Sequence, residues 1–266
     1  MVPAAAARGG RVRRAAPGAA LAVACAALLT APATAAEFSV RYDAAPPAFG
    51  VYRDELERQR FLESVAEQLN RTLLLPRTVH LRTAACGHST TVWSAPARVV
   101  TVCYEFIEAV LVIAAGAAAS RDRAEQQFSG ALTFALLAEV GRALVTLYRM
   151  PPADGARDAG DEFAAITLAA AERAGDSSAA AALEFYAAAL GAGRSFEYLA
   201  SHGFDRWRLE ELACLWYGNA PANHAEVQAL GLVPAARLGR CPEELLLTAE
   251  RWERALRPHA RPAPPP

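Results

Sequence analysis

Lysine is absent from the 266 residues, so every formal positive side chain is an arginine, a mark of composition and not of mechanism. Histidine is scarce, with only His80, His88, His202, His224 and His259. A metal site would need at least three donors to converge, and so few imidazoles make that hard to assemble. No G-x-S-x-G elbow and no Walker phosphate loop occurs, which removes two common catalytic and nucleotide-binding readings. No C-x-x-C pair occurs either, so the cysteines give little support to a zinc site of their own.

What is present is alanine and an apolar total of 53%. Alanine favours helix but contributes little burial per residue, so the apolar fraction overstates the core. The length suits one well-buried domain and does not require two.

The N-terminus has the three-part layout of a secretory signal. Arg8, Arg11, Arg13 and Arg14 precede the apolar run AALAVACAALLTA (19–31), and the small residues APATAA follow with an A-x-A pattern at Ala33-Thr34-Ala35. The run is too short for a comfortable membrane span. We therefore expect a signal peptide at 1–36, a single domain at 37–257 and a disordered proline-rich tail at 258–266. Residues 37–266 hold 23 arginines against 28 acidic residues, a net charge of −5. No basic stripe remains there, so nucleic acid is not an expected partner, and no stable membrane span is expected after signal cleavage.

Cys25 leaves with the signal, and Cys86, Cys103, Cys214 and Cys241 remain. An even number in an oxidising compartment implies two disulfides. Three pairings are possible, of which the sequence-local one, Cys86–Cys103 with Cys214–Cys241, is preferred. Export to the periplasm or outside the cell is the matching expectation. These cysteines, once oxidised, are not candidates for a nucleophile.

Along the chain, FSVRY (38–42) alternates as a short strand. Residues 53–72 place Leu56, Phe61, Val65 and Leu69 at helical spacing and predict one amphipathic helix. Residues 73–87 and 90–106 read as two β segments, and 103–119 turns helical. RDRAEQQ (121–127) leads into a helix containing LLAEVGRALV (136–145). Pro151, Pro152 and Gly155 mark a loop at 150–161, and further helices follow at 161–175, within 175–195, at 201–218 and at 242–256. The fold class is α+β, helix-dominated, with a small N-terminal sheet. Trp207, Trp216, Trp252 and Tyr217 read as packing residues.

LLAEVGRALV has the shape of an H-E-x-x-H zinc helix with both histidines replaced. Around it stand Cys86-Gly87, Cys103-Tyr104-Glu105, Glu139-Val140-Gly141, Ala143-Leu144, Pro151, Asp158 and Asp161. His202, Asp205, Arg208, Cys214, Tyr217-Gly218, Arg240-Cys241 and Trp252 complete the series in order. On these residues the chain resembles, from about 37 to 257, a bacterial family of metallopeptidase type with a zincin-like fold. The resemblance implies a zinc ion as cofactor, held by two histidines one helical turn apart and a carboxylate from the next helix. The intervening glutamate would activate a metal-bound water.

Here the two histidine positions are Ala138 and Arg142, and the carboxylate position is Arg157. Alanine has no donor atom, and arginine is a permanent cation that does not coordinate a metal. The expected cofactor is therefore none, with Glu139 a vestigial general base. Without a metal, Glu139, Asp158 and Asp161 would repel one another. Arg142 lies on the face of Glu139, and guanidinium groups from Arg142 and Arg157 could supply the missing positive charge, Arg142 most plausibly to Asp161. The plainer alternative is an ordinary i,i+3 surface pair of Glu139 with Arg142. His202 and Arg208 are expected near the cleft, His202 as a hydrogen-bonding group by a helix N-terminus. A rearranged metal site from Glu139, Asp161 and His202 is a second possibility. The resulting expectation is an exported, inactive peptidase relative that binds a peptide or protein. A hydrolase with an altered metal site and a structural envelope protein are the alternatives.

Overall fold

The computed structural model describes residues 36–151, 158–172, 178–191, 196–222 and 224–262. The alternating segment at the start forms strand β1 (Phe38–Tyr42), and three more strands follow: β2 (Val79–Ala84), β3 (Thr91–Ser94) and β4 (Val99–Cys103). Their order in the sheet is β1-β2-β4-β3, with β1, β2 and β4 parallel and β3 antiparallel to β4. The parallel pair β1 and β2 requires a crossover, which two helices supply, α1 (Gly50–Arg58) and α2 (Phe61–Thr72).

These two helices replace the single one expected over 53–72. The chain breaks at Gln59 and Arg60, where Arg60 takes a left-handed conformation (φ 54°). The Tyr42 hydroxyl occupies the break: it accepts from the Leu62 amide at 3.2 Å and lies 2.8 Å from Glu63 Oε2. The break resets the helical phase, so α2 buries Leu62, Ala66 and Leu69 while Phe61 and Val65 are only half-buried. The segment read as one β unit over 90–106 is a hairpin, β3 and β4, running directly into α3 (Tyr104–Ala117).

The remaining helices are α4 (Arg121–Tyr148), α5 (Ala159–Glu172), α6 (Ser178–Gly191), α7 (Glu197–Ser201), α8 (Arg206–Asn219), α9 (Ala225–Ala229), α10 (Ala235–Leu238) and α11 (Cys241–Leu256). Helix α4 starts at a Ser120 cap, whose hydroxyl accepts from the Arg123 amide at 3.2 Å. It is long and apolar enough to cross a membrane, yet its most apolar stretch is 72% buried within this domain. That burial marks it as the central core helix, flanked by α3, α5 and α6, with β3 alongside.

The crossing of α4 with α5 depends on two glycines that face each other. A Cβ at Gly141 would lie 2.7 Å from Phe163 Cβ and 2.9 Å from Gly160 Cα, and one at Gly160 would overlap the Ala138 carbonyl oxygen. Backbone therefore meets backbone there, which sets the start of α5 directly over residues 138–142. We expect Gly160→Ala to cost about 2–3 kcal/mol, in the range of overpacked cores. Chemical denaturation would measure it, and a loss below about 0.5 kcal/mol would show that the helices separate freely.

Both sequence-local disulfides are present, Cys86–Cys103 and Cys214–Cys241, with Cα separations of 5.6 and 5.0 Å. The first joins the loop after β2 to the end of β4, and the second joins α8 to the first residue of α11. The expected disorder from residue 258 is corrected for the part described: His259 stacks on Tyr148 at 3.8 Å and Ala260 bridges to Leu73. Residues 263–266 lie outside the described residues, as does the expected signal peptide apart from Ala36.

Candidate functional site

Glu139 and Arg142 sit three residues apart on α4 and share a face. Arg142 Nη1 donates to Glu139 Oε1 at 2.7 Å, and Nη2 donates to Asp158 Oδ1 at 3.0 Å with Asp161 Oδ1 at 3.6 Å. One guanidinium thus faces three carboxylates. The Glu139 side chain is 3% exposed and that of Arg142 22%, so this is no surface pair. The closest aspartate partner of Arg142 is Asp158 and not Asp161, because Asp161 is held by another arginine. Arg208 Nε and Nη2 both donate to Asp161 Oδ2, at 2.8 and 2.5 Å. A third guanidinium nitrogen of Arg208 donates to the His202 carbonyl, tying the α7–α8 turn to α5. Asp158 also accepts from the amides of Gly160 and Asp161 at 2.9 and 3.2 Å, so it caps the start of α5.

Glu139 is satisfied from three further directions. Its Oε2 accepts from the Trp93 backbone amide on β3 at 2.7 Å, and the Thr91 hydroxyl lies 3.4 Å from Oε1. His202 Nε2 stands 2.9 Å from Oε1. An ionised carboxylate only accepts, so Nε2 carries a hydrogen in this contact. His202 Nδ1 lies 3.0 Å from both the Tyr198 carbonyl and the Ser201 hydroxyl, and the ring stacks on Tyr198 at 4.2 Å. His202 therefore ends α7, just outside its C-terminus, rather than opening a helix as expected.

The electrostatics follow from these contacts. Burial pushes the Glu139 carboxyl up, but the His202 hydrogen bond and the Arg142 charge outweigh it and hold it below the ordinary range. Asp158 is likewise lowered: burial opposes it, and Arg142 and Arg208 prevail. Burial pushes Asp161 up, only partly offset by Arg208. Arg142 is held protonated, with the surrounding carboxylates, Glu139 foremost, overcoming its burial.

Lowered groups contribute stability that is present above their unfolded pKa and lost as pH falls through the folded one. Asp161 acts with the opposite sign, its contribution being full at acid pH and lost as pH rises. Two lowered carboxyls against one raised lead us to expect a melting temperature that falls as pH drops through and below about 4, the ordinary carboxylate range. Glu139→Gln should flatten that slope in thermal melts recorded across pH. An unchanged slope would remove Glu139 from the account.

The donor set does not fit zinc. The Ala138 side chain is fully buried and has no donor atom, and Arg142 places a guanidinium among the carboxylates a cation would need. Nor do Glu139, Asp161 and His202 bring three donor atoms together. Among the described residues, the group with three such atoms within 4.8 Å is Cys86, Cys103 and Glu105, whose sulfurs are joined in a disulfide. Arg157, the expected second guanidinium, lies outside the described residues.

The sequence reading missed the Trp93 amide, a backbone donor with no side-chain signature, and Tyr198. Tyr198 lies four residues before His202, a spacing that does carry a signal, and its side chain is fully buried with its ring against that of His202. No curated protein and no solved structure matches the chain. A family model matches residues 43–256, with every element of the cleft inside the match; its description reads "Putative metallopeptidase". The chain belongs to that family.

Proposed function

We propose that this protein is an exported pseudo-peptidase, a metallopeptidase relative without hydrolytic activity that acts by binding a peptide or protein. The observation that carries the reading is the Arg142 guanidinium, bonded to Glu139 and Asp158 and facing Asp161. A general base must reach a reacting water or proton. Glu139 has its oxygens engaged by Arg142, His202, Thr91 and Trp93 instead. Family membership supplies the ancestry, and two disulfides fit an oxidising compartment.

Peptide binding is supported by β3, which pairs with β4 on one side only and runs beside Glu139. An edge strand accepts an extended peptide through its outward backbone groups, here in competition with Glu139 for the Trp93 amide.

The test is metal analysis of the purified chain together with an assay on a mixed peptide library. We expect zinc well below one equivalent and no cleavage, with retention of a subset of peptides. Stoichiometric zinc that is lost in Glu139→Ala or His202→Ala would establish the altered metal site instead. Absence of both cleavage and retention would favour a structural envelope role.

A further inference from the structure

A cavity of about 690 Å³ lies among α2, α4, α5 and α11. That volume falls within the roughly 300–1,000 Å³ of small-molecule sites. It is distinct from the cleft. Leu137 lines it, whereas Glu139, two residues on, points about 200° further around α4. None of Glu139, Arg142, Asp158, Asp161, His202 or Arg208 contributes to its wall.

The wall is built from Leu69, Leu137, Phe163, Ile166, Trp252 and Leu256. Two of its three threonines have their hydroxyls engaged by backbone: Thr72 Oγ1 lies 3.1 Å from the Leu69 carbonyl, and Thr133 donates to the Ser129 carbonyl at 2.8 Å. The Trp252 indole N–H points to Glu162 at 3.4 Å. Most of the wall is helix, whose backbone groups are already paired. A peptide seated here would leave its amides with few partners, at a cost of about 1–3 kcal/mol each. Hydrocarbon has no such requirement. The small side chains of Ala170, Ala171 and Ala249 leave the space open.

The rim carries charge. Arg257 lines the cavity and pairs with Glu253 at 3.1 Å, both about 70% exposed. Arg261 follows the lining residue Ala260, is held through its backbone amide to the Thr72 carbonyl at 2.8 Å, and has a buried Nε without a hydrogen-bond partner. At this rim the cation lining the cavity is Arg257, held by an exposed pair to Glu253 that a ligand carboxylate could replace, and Arg261 adjoins it through its backbone. The geometry points to a binding site for an unbranched aliphatic carboxylate, a fatty acid. Its chain lies between α2, α5 and α11, with its head group at Arg257, and Arg261 is the neighbouring cation in sequence.

The experiment titrates the chain from residue 37 with cis-parinaric acid, a fluorescent fatty acid, and competes it with hexadecanoate and hexadecanol. We expect saturable binding of one ligand per chain. Ala249→Trp should fill the cavity and weaken binding at least about tenfold, near 1.4 kcal/mol, without lowering the melting temperature. Should that variant misfold, Ala170→Phe, at an exposed position, serves the same purpose. Arg257→Ala with Arg261→Ala should weaken hexadecanoate about tenfold and leave hexadecanol unchanged. No saturable binding up to about 100 µM would overturn the site, as would full affinity in folded Ala249→Trp and Ala170→Phe. Hexadecanol competing as well as hexadecanoate in the wild type would overturn the carboxylate assignment.

Discussion

Arg142→Met is expected to lower the stability of the domain by about 3 kcal/mol, at the lower end of what breaking a buried ion pair costs. Methionine keeps much of the side-chain volume, so the loss is chiefly electrostatic. It removes one cation from three carboxylates, two of which are almost fully buried: Glu139 is 2% exposed and Asp161 is 4%. The loss stays at the lower end because the partners are not stranded. Glu139 keeps His202 and the Trp93 amide, Asp161 keeps Arg208, and Asp158 keeps the amides at the start of α5. For a domain of this size the melting temperature should fall by roughly 6–12 °C. Adding Glu139→Gln should recover part of the loss, since one of the unpaired charges is gone. Thermal and urea unfolding of both variants decides the matter. A single-variant loss below about 0.5 kcal/mol would reduce the cluster to a helix-surface pair.

Removing the second disulfide should have a comparable effect. Cys214 and Cys241 are fully buried and 27 residues apart, and the chain-entropy account assigns a loop of that length about 3–4 kcal/mol. The double variant Cys214→Ala with Cys241→Ala is the right probe, because alanine leaves no buried hydroxyl to satisfy. The bond sits where α8 and α11 touch most closely: a Cβ at Gly218 would overlap the Cys241 carbonyl oxygen. Arg237 spans the same junction, pairing with Glu210 at 3.1 Å, with Glu244 at 2.7 Å and with Glu211. These contacts persist in the variant, so it should still fold, with a melting temperature lower by roughly 6–16 °C. The wild type under strong reductant, which opens Cys86–Cys103 as well, should fall at least as far. If reduction leaves the melting curve unchanged, the bond adds nothing to the folded state, and the link between this cysteine pair and an oxidising compartment weakens.

The sequence carried some of this architecture plainly and some not at all. LLAEVGRALV reads as helix from its apolar content and its zinc-helix pattern, whereas the start of that helix at the Ser120 cap is not legible, residues 121–127 reading only as its lead-in. Cysteine parity and spacing led to both disulfides. The break at Arg60 was hidden, because the charged and apolar residues of 53–72 continue smoothly through it; the Tyr42 hydroxyl that fills it comes from another element. Within the cleft, the carboxylates and Arg142 were readable as a charge problem. Which arginine takes which aspartate was not, since it depends on where α5 begins and on Arg208 arriving 47 residues later. The cavity between α2 and α11 had no signature, since its walls are ordinary amphipathic faces whose small residues happen to oppose one another.

The cation that holds Glu139, Asp158 and Asp161 in register is fixed to the backbone of α4. A metal-held cleft exchanges its ion with the surroundings and loosens when competing ligands strip it. On the function proposed above, this cleft has nothing to exchange. On that reading its shape is set by the chain's own residues and does not depend on metal concentration, so the protein would keep one cleft geometry where free metal is scarce.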